Sequence, residues 1–325
     1  MTTVQLDGVK ILGIASALPA KSEDNLQRCI KVYGDEKKAL SVVKATGIKS
    51  RRIVEPGTSS LDLCVAAARK VMTDCGVQSG EIGAVVCVTF TPERTMPCNA
   101  CQAQQQLGLQ KDIMAFDISL ACSGWAYGLF VAGQLARAMG RKVLLLDGDT
   151  QTTHMNQVDI ATVPVMADAG TATLVVPCDS AEPWTFSFLT DGSKGGALTL
   201  PWGGTISMDG LGIFKFVTMD VLYLIRDFMI ATGTTPEGID AFVPHQANIF
   251  MIQQIAKKLK IPSEKLKLSG DLLGNSSSAT VPTTIAYTQT HGRLLVSGFG
   301  GGLSASVGLI DISQDCKLGV VDYGA

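Results

Sequence analysis

Short β-rich runs alternate with segments of helical period along this chain, and the alternation restarts near residue 184. Runs at 9–15, 84–90, 113–117, 142–147 and 172–176 are separated by helical candidates at 59–75, 100–107 and 125–139. The second half offers strands at 184–190, 241–244, 266–268 and 294–298, with helices at 218–231, 249–259 and 283–290. That order points to a layered α/β architecture. Two halves with one grammar imply a duplicated βα unit, although no residue-level repeat aligns between them. The divide is expected in 177–183, which carries a proline at each end, so that residues 1–178 and 179–325 form the two halves.

A chain of 325 residues exceeds one typical core. Its 46% hydrophobic content and mean hydropathy of +0.26 call for a thick core plus a sizeable subunit interface. Charge is nearly balanced, 27 basic residues against 29 acidic, which gives no support to a nucleic-acid partner or an anionic membrane. Residues 118–136 carry no charge and are just long enough to span a bilayer, yet Ser119, Ser123 and Gln134 lie within them and Asp117 precedes them. A buried core helix is the expectation. The 11–20 run faintly resembles a signal peptide, but only Lys10 is basic near its start, and a first strand is the better reading. Without an export signal, nine scattered cysteines read as reduced cytoplasmic thiols. Cys98 and Cys101 form one Cys-x-x-Cys without the second pair of a zinc site, so packing is expected of them.

Four local signals carry chemistry. Cys122 lies in Phe116-Asp117-Ile118-Ser119-Leu120-Ala121-Cys122-Ser123-Gly124-Trp125, where a short apolar run switches to helical spacing. A thiol there faces unpaired backbone N–H groups and the positive end of a helix dipole, both of which favour the thiolate. It is either a nucleophile or a buried cysteine acting as a small hydrophobe. Val243-Pro244-His245-Gln246-Ala247-Asn248 places His245 at a strand end, where side chains project into a crevice; His154 and His291 lie in polar loops and are read as structural. Gly274-Asn275-Ser276-Ser277-Ser278-Ala279-Thr280 forms a turn before a helix, and Asn275 taken alone is a turn or cap residue. Ser297-Gly298-Phe299-Gly300-Gly301-Gly302 follows a strand. Its glycines suit either a loop that brings N–H groups to a ligand oxygen or a plain turn, and no phosphate-cradling pattern can be read in it.

Together these motifs, in this order and at nearly these spacings, resemble the four signatures of the β-ketoacyl-[acyl carrier protein] synthase III family. Ala167-Asp168-Ala169-Gly170 and Met208-Asp209-Gly210 followed by Phe214-Lys215-Phe216 are similar to further family segments, so the resemblance covers essentially the whole chain. It implies the thiolase fold, two βαβαβαββ halves in a five-layer α-β-α-β-α arrangement, and a homodimer. The implied partners are an acyl thioester and an acyl carrier protein, with no metal or organic cofactor. The implied mechanism loads an acyl group onto Cys122, with the oxyanion held by the N–H groups of Cys122 and Gly301. A malonyl thioester then binds with its carbonyl oxygen against His245 Nε2 and the Asn275 amide. Loss of carbon dioxide leaves an enolate that attacks the acyl-cysteine.

Departures from the family pattern bear on the donor. A tryptophan and an arginine that hold the adenine of coenzyme A are replaced by Ser41 and Ala45, and a further arginine is missing where Thr153 and His154 stand. Delivery of the first acyl group on a carrier protein is therefore a second option. Phe250 replaces an arginine used in carrier docking, leaving Lys215, Lys257 and Lys258 as candidate docking residues. Met96 replaces an aromatic residue that reaches the partner's acyl pocket, and its adaptability leaves chain length open.

A papain-like hydrolase shares the order Cys, His, Asn, but its cysteine directly precedes its tryptophan, and the layout of two βα halves is wrong for it. An inactive subunit of the same fold would lack Cys122. A non-decarboxylating acyltransferase of the same fold, with His245 as base, is the nearer alternative.

Overall fold

The computed structural model describes residues 2–324. Eleven strands build two large sheets: β1 (Val4–Leu6), β2 (Val9–Pro19), β3 (Ile82–Val88), β4 (Met114–Ile118), β5 (Lys142–Asp149), β6 (Ala169–Pro177), β7 (Trp184–Thr190), β8 (Ala241–Pro244), β9 (Gly292–Gly300), β10 (Ser304–Ile312) and β11 (Lys317–Tyr323). The first sheet runs β11-β2-β6-β5-β3-β4 and the second β1-β7-β10-β9-β8.

Strands buried on both faces read as near-continuous apolar runs, and β3 and β5 do so because each is covered on both sides. Val85, Leu144 and Leu146 point to one cluster and Val86, Val88 and Leu145 to another, following the period of two along a strand. Helix α1 (Ser60–Asp74), opened by a Ser59–Asp62 capping box, covers the outer face of the first sheet with Leu61, Cys64 and Val71. Helix α2 (Gly124–Met139) and helix α5 (Thr280–Tyr287) lie between the two sheets, where Trp125, Leu129 and Ile285 share a core with Val86 of one sheet and Val296 of the other. Helices α3 (Leu222–Thr232) and α4 (Ile249–Lys258) cover the outer face of the second sheet through Ile225, Phe228, Ile252 and Ile255. The result is the five-layer α-β-α-β-α order of the thiolase fold.

The first half, from β2 to β6, reads βαβαβαββ once the short helix Asn99–Gln106 between β3 and β4 is counted. The second half repeats it with one reduction. The strand expected at 266–268 survives only as a single bridge from Leu266 to Phe242. The helix expected at 283–290 starts earlier, at Thr280, because a proline in the first turn gives up an N–H that has no partner there anyway. The helix expected from 218 begins at Leu222, after a π-turn over Val217–Val221. The uncharged 118–136 stretch supplies α2, 16 residues long and packed between sheets. No helix among the described residues is long and apolar enough to cross a membrane.

Candidate active site

Cys122 lies in the turn between β4 and α2 and is buried. The start of α2 is pressed against the first sheet: a β-carbon added to Gly124 would lie 2.5 Å from Val88 Cγ1. From the other side β9 delivers Gly300. There a β-carbon would lie 2.7 Å from Cys122 Cβ and 2.8 Å from its sulfur, so only glycine admits the thiol. Gly301, one residue on, has ordinary room for a side chain and lines the same cavity as Cys122. The N–H groups of Cys122 and Gly301 both pull the pKa of the thiol down.

The sequence led us to expect a thiol poised toward thiolate. Instead, burial pushes it up to about 12, helped by the Asp149 carboxylate, while a hydrogen bond from the Ser277 hydroxyl and the two backbone N–H groups pull it down. Removal from water outweighs the helix dipole here. The Ser277 hydroxyl stands 3.9 Å from the sulfur.

His245 follows β8 and is buried, its ring edge-on to Phe299 with centroids 5.2 Å apart. Burial drives its pKa down to about 3, with the Ser277 carbonyl pulling the other way, so the ring is neutral. Nδ1 lies 2.7 Å from Thr280 Oγ1, and the Thr280 hydroxyl lies 2.9 Å from the Ser277 carbonyl. A single hydroxyl rotor therefore selects the tautomer. Turned to Nδ1, it leaves the proton on Nε2, which then donates; turned to Ser277, it accepts from Nδ1–H and leaves Nε2 an acceptor.

Asn275 follows Gly274, whose φ of 79° is open to glycine at little cost. Its backbone is anchored by Asn275 N–H to Val165 (2.9 Å) and Ala167 N–H to Asn275 (2.7 Å), with the Gln151 amide on its carbonyl. Its Oδ1 accepts from Ser277 N–H at 2.9 Å, an Asx-turn that leaves the Nδ2 amide free on the cavity wall.

Cys122, His245, Asn275, Gly300 and Gly301 line one cavity of about 640 Å³. His154, which the sequence assigned to a structural role in a loop, also lines it, and Trp202, 84% exposed, is on its wall as well. Met96 is 84% exposed and does not reach the cavity. Lys215, Lys257 and Lys258 are likewise outside it, exposed on helices whose first turns, through Gly210 and Met251, do line it. Asp168 holds the N–H groups of Thr152 and Val54, each at 2.9 Å, and Asp209 caps the helix Gly210–Phe216. Sequence reasoning missed Ser277, Thr280 and Asp149. Their signals were present: a run of hydroxyl residues after Asn275, and an acid at the carboxyl end of a central strand.

The family model described as 3-oxoacyl-[acyl-carrier-protein (ACP)] synthase III matches residues 116–192, and its C-terminal counterpart matches 229–312. The β-ketoacyl-[acyl-carrier-protein] synthase III of Alkalilimnicola ehrlichii is 34% identical to this chain, over 93% of it and 98% of the relative. A 3-oxoacyl-(acyl-carrier protein) synthase from Burkholderia xenovorans superposes with a TM-score of 0.94 at 28% identity, covering 99% of each chain. The priming β-ketosynthase from the R1128 polyketide biosynthetic pathway superposes with a TM-score of 0.85 at 27% identity, over 95% of this chain and 98% of that one. Sharing 34% identity with such a synthase over 93% of its length, and its fold with solved ones, the chain belongs to the β-ketoacyl-[acyl-carrier-protein] synthase III family.

Proposed function

We propose that this protein condenses an acyl group held on Cys122 with a malonyl thioester on acyl carrier protein, releasing carbon dioxide and a 3-oxoacyl-[acyl carrier protein]. The observation that carries this reading is the meeting of Cys122, two backbone N–H groups, His245 and the Asn275 amide at one cavity wall.

Cys122 sulfur attacks the thioester carbonyl carbon, and the resulting oxyanion accepts from the N–H groups of Cys122 and Gly301. Collapse expels the donor thiol and leaves the acyl group on sulfur. The malonyl carbonyl oxygen then takes hydrogen bonds from Asn275 Nδ2 and from His245 Nε2 in its donor tautomer. The C–C bond to the carboxylate breaks, its electron pair forms the enolate, and the enolate carbon attacks the acyl-cysteine to restore the thiol. Neutral donors suit this step, since negative charge develops on the oxygen they face. The chemistry needs no metal or organic cofactor, because sulfur carries the acyl group and carbon dioxide supplies the driving force.

The cavity wall includes no Lys, Arg, Asp or Glu among the described residues. The polyanionic nucleotide of coenzyme A meets no cation inside it, which favours an acyl donor borne on a carrier protein, with Lys215, Lys257 and Lys258 as its docking residues. We further infer a cytoplasmic homodimer, supported by the mean hydropathy of +0.26, the exposed Met96 and nine free thiols.

Intact-mass measurement with a panel of acyl donors and malonyl carrier tests the reading. Acylation lost in Cys122→Ala and carbon dioxide released by wild type are the expected results. Acylation that survives in Cys122→Ala would sink it, and acylation without carbon dioxide from any malonyl donor would mark a plain acyltransferase.

A further inference from the structure

We propose that Ser123 and Ser304 are positioning residues for acyl transfer: their hydroxyls form a strap from the nucleophile turn to the Gly301 carbonyl and hold the glycine loop in place against Cys122. This rests on the reading of Cys122 as the acyl-carrying nucleophile, with the Gly301 N–H on the oxyanion.

Ser123 directly follows Cys122 and stands at the N-cap position of α2, where a serine ordinarily turns its oxygen to a backbone N–H of the first helical turn. It makes no such bond. Its hydroxyl lies instead 2.6 Å from Ser304 Oγ, 181 residues further along the chain at the first position of β10. Ser304 in turn donates to the Gly301 carbonyl at 2.9 Å. That bond uses the single proton of the Ser304 hydroxyl, so across the 2.6 Å contact Ser123 donates and Ser304 accepts. The strap thus runs one way, from Ser123 through Ser304 to Gly301, and each bond polarises the next. Both serines are buried, which shields the strap from water.

Gly301 and Gly302 lie in the short turn between β9 and β10 and have no side chains with which to pack. The turn is held at both ends. Gly300 pairs with Ser304 across the hairpin, and the buried Leu303 accepts from Asp191 N–H at 2.8 Å. Between these anchors the Ser304 hydroxyl holds the Gly301 carbonyl, which restrains that residue from its far side and leaves its N–H one direction. The nucleophile turn is clamped to the same hairpin a second time. Ser306 Oγ donates to the Ser123 carbonyl at 3.2 Å, and a β-carbon on Gly298 would lie 2.8 Å from Ser123 Cα. Neither Ser123 nor Ser304 lines the cavity, so both act through Gly301, which does.

Two reactions of the same sulfur isolate this role. Acylation by a thioester passes through an oxyanion, whereas alkylation by iodoacetamide is a displacement at saturated carbon and forms none. The ratio of the two rates at Cys122, read at one pH by peptide mass spectrometry with acyl N-acetylcysteamine thioesters from acetyl to octanoyl, cancels any change in thiolate fraction. Ser304→Ala is expected to lower that ratio about tenfold or more, the scale of a misplaced oxyanion donor. The donor's KM should stay unchanged, because the oxyanion exists only beyond the ground state. Ser304→Thr keeps the hydroxyl on a β-carbon that suits a strand and should return the ratio to within about threefold of wild type. Ser123→Ala leaves the Ser304–Gly301 bond and should lose about threefold; combined with Ser304→Ala it should add nothing, since the strap fails as a unit.

Alkylation that falls in step with acylation would reduce both serines to structural residues and overturn the proposal. So would Ser304→Thr as slow as Ser304→Ala, or Ser123→Ala at the wild-type ratio, a result that decides the matter even where Ser304→Ala loses its thermal transition. Wild type that acylates without releasing carbon dioxide from malonyl carrier would defeat the condensing reading and leave the strap standing. Wild type acylated by no thioester would remove both.

Discussion

Gly300 stands against Cys122 so closely that a β-carbon on it would sit 2.8 Å from the sulfur. The glycines at 300 and 301 therefore divide the work. The first makes space for the nucleophile, and the N–H of the second lowers its pKa.

Gly300→Ala is expected to acylate Cys122 at least about 100-fold more slowly, since displacing a reacting atom by even an ångström has that scale of effect. Overpacking costs a further ~1–3 kcal/mol of stability. Gly301→Ala, where neighbours are no closer than 3.7 Å, should keep most of the acylation rate. Equal losses in the two variants, measured as acyl-enzyme formation by intact mass, would contradict this division.

Thr280→Val removes the rotor that selects the His245 tautomer. Nδ1 then loses its hydroxyl partner, and nothing holds the proton on Nε2 as a donor. Acylation should remain within about threefold of wild type while carbon dioxide release falls roughly 100-fold, the cost of one lost oxyanion donor. If both steps fall together, His245 does not act by donating to the enolate.

Donor choice follows from the uncharged cavity wall. With the same acyl group, a carrier-borne donor should load Cys122 at least about tenfold faster than the coenzyme A thioester at low salt. The gap should shrink as salt screens the exposed lysines. Equal loading from both donors, with no salt dependence, would remove the carrier preference.

Stability should respond to pH through Asp149. Its folded pKa is raised to about 6, above the ordinary carboxylate value, so the folded state binds the extra proton and stability is lost as pH rises through about 4 to 6. Asp149→Asn mimics the protonated form. Its thermal midpoint relative to wild type should therefore be higher at pH 8 than at pH 4, corresponding to roughly 3 kcal/mol. A difference independent of pH would place Asp149 in a less desolvated setting than the fold gives it.

The layered fold was legible because β3 and β5 are covered on both faces, which writes an unbroken apolar run into the sequence. The strand at 266–268 misled because three residues of strand-like composition cannot report whether a neighbour is there to pair with them. At the site, Cys122, His245 and Asn275 stood out by lying in motifs at element ends. The Cys122 pKa did not, because local reasoning sees the helix start and not the second sheet that shuts out water. Ser277 and Asp149 were hidden for a related reason: they are 128 residues apart in the chain, and only the packing of α5 between the sheets makes them neighbours.

The two ends of the chain cross over. β1, near the amino terminus, pairs with β7 at the edge of the second sheet, while β11, near the carboxyl terminus, pairs with β2 at the edge of the first. A chain cut between Pro177 and Trp184 would thus give two fragments that each carry the other's missing edge strand. Such fragments are natural halves of a split-protein reporter: exposed edges alone invite aggregation, and reunion in one cell restores both sheets and the thiol chamber between them.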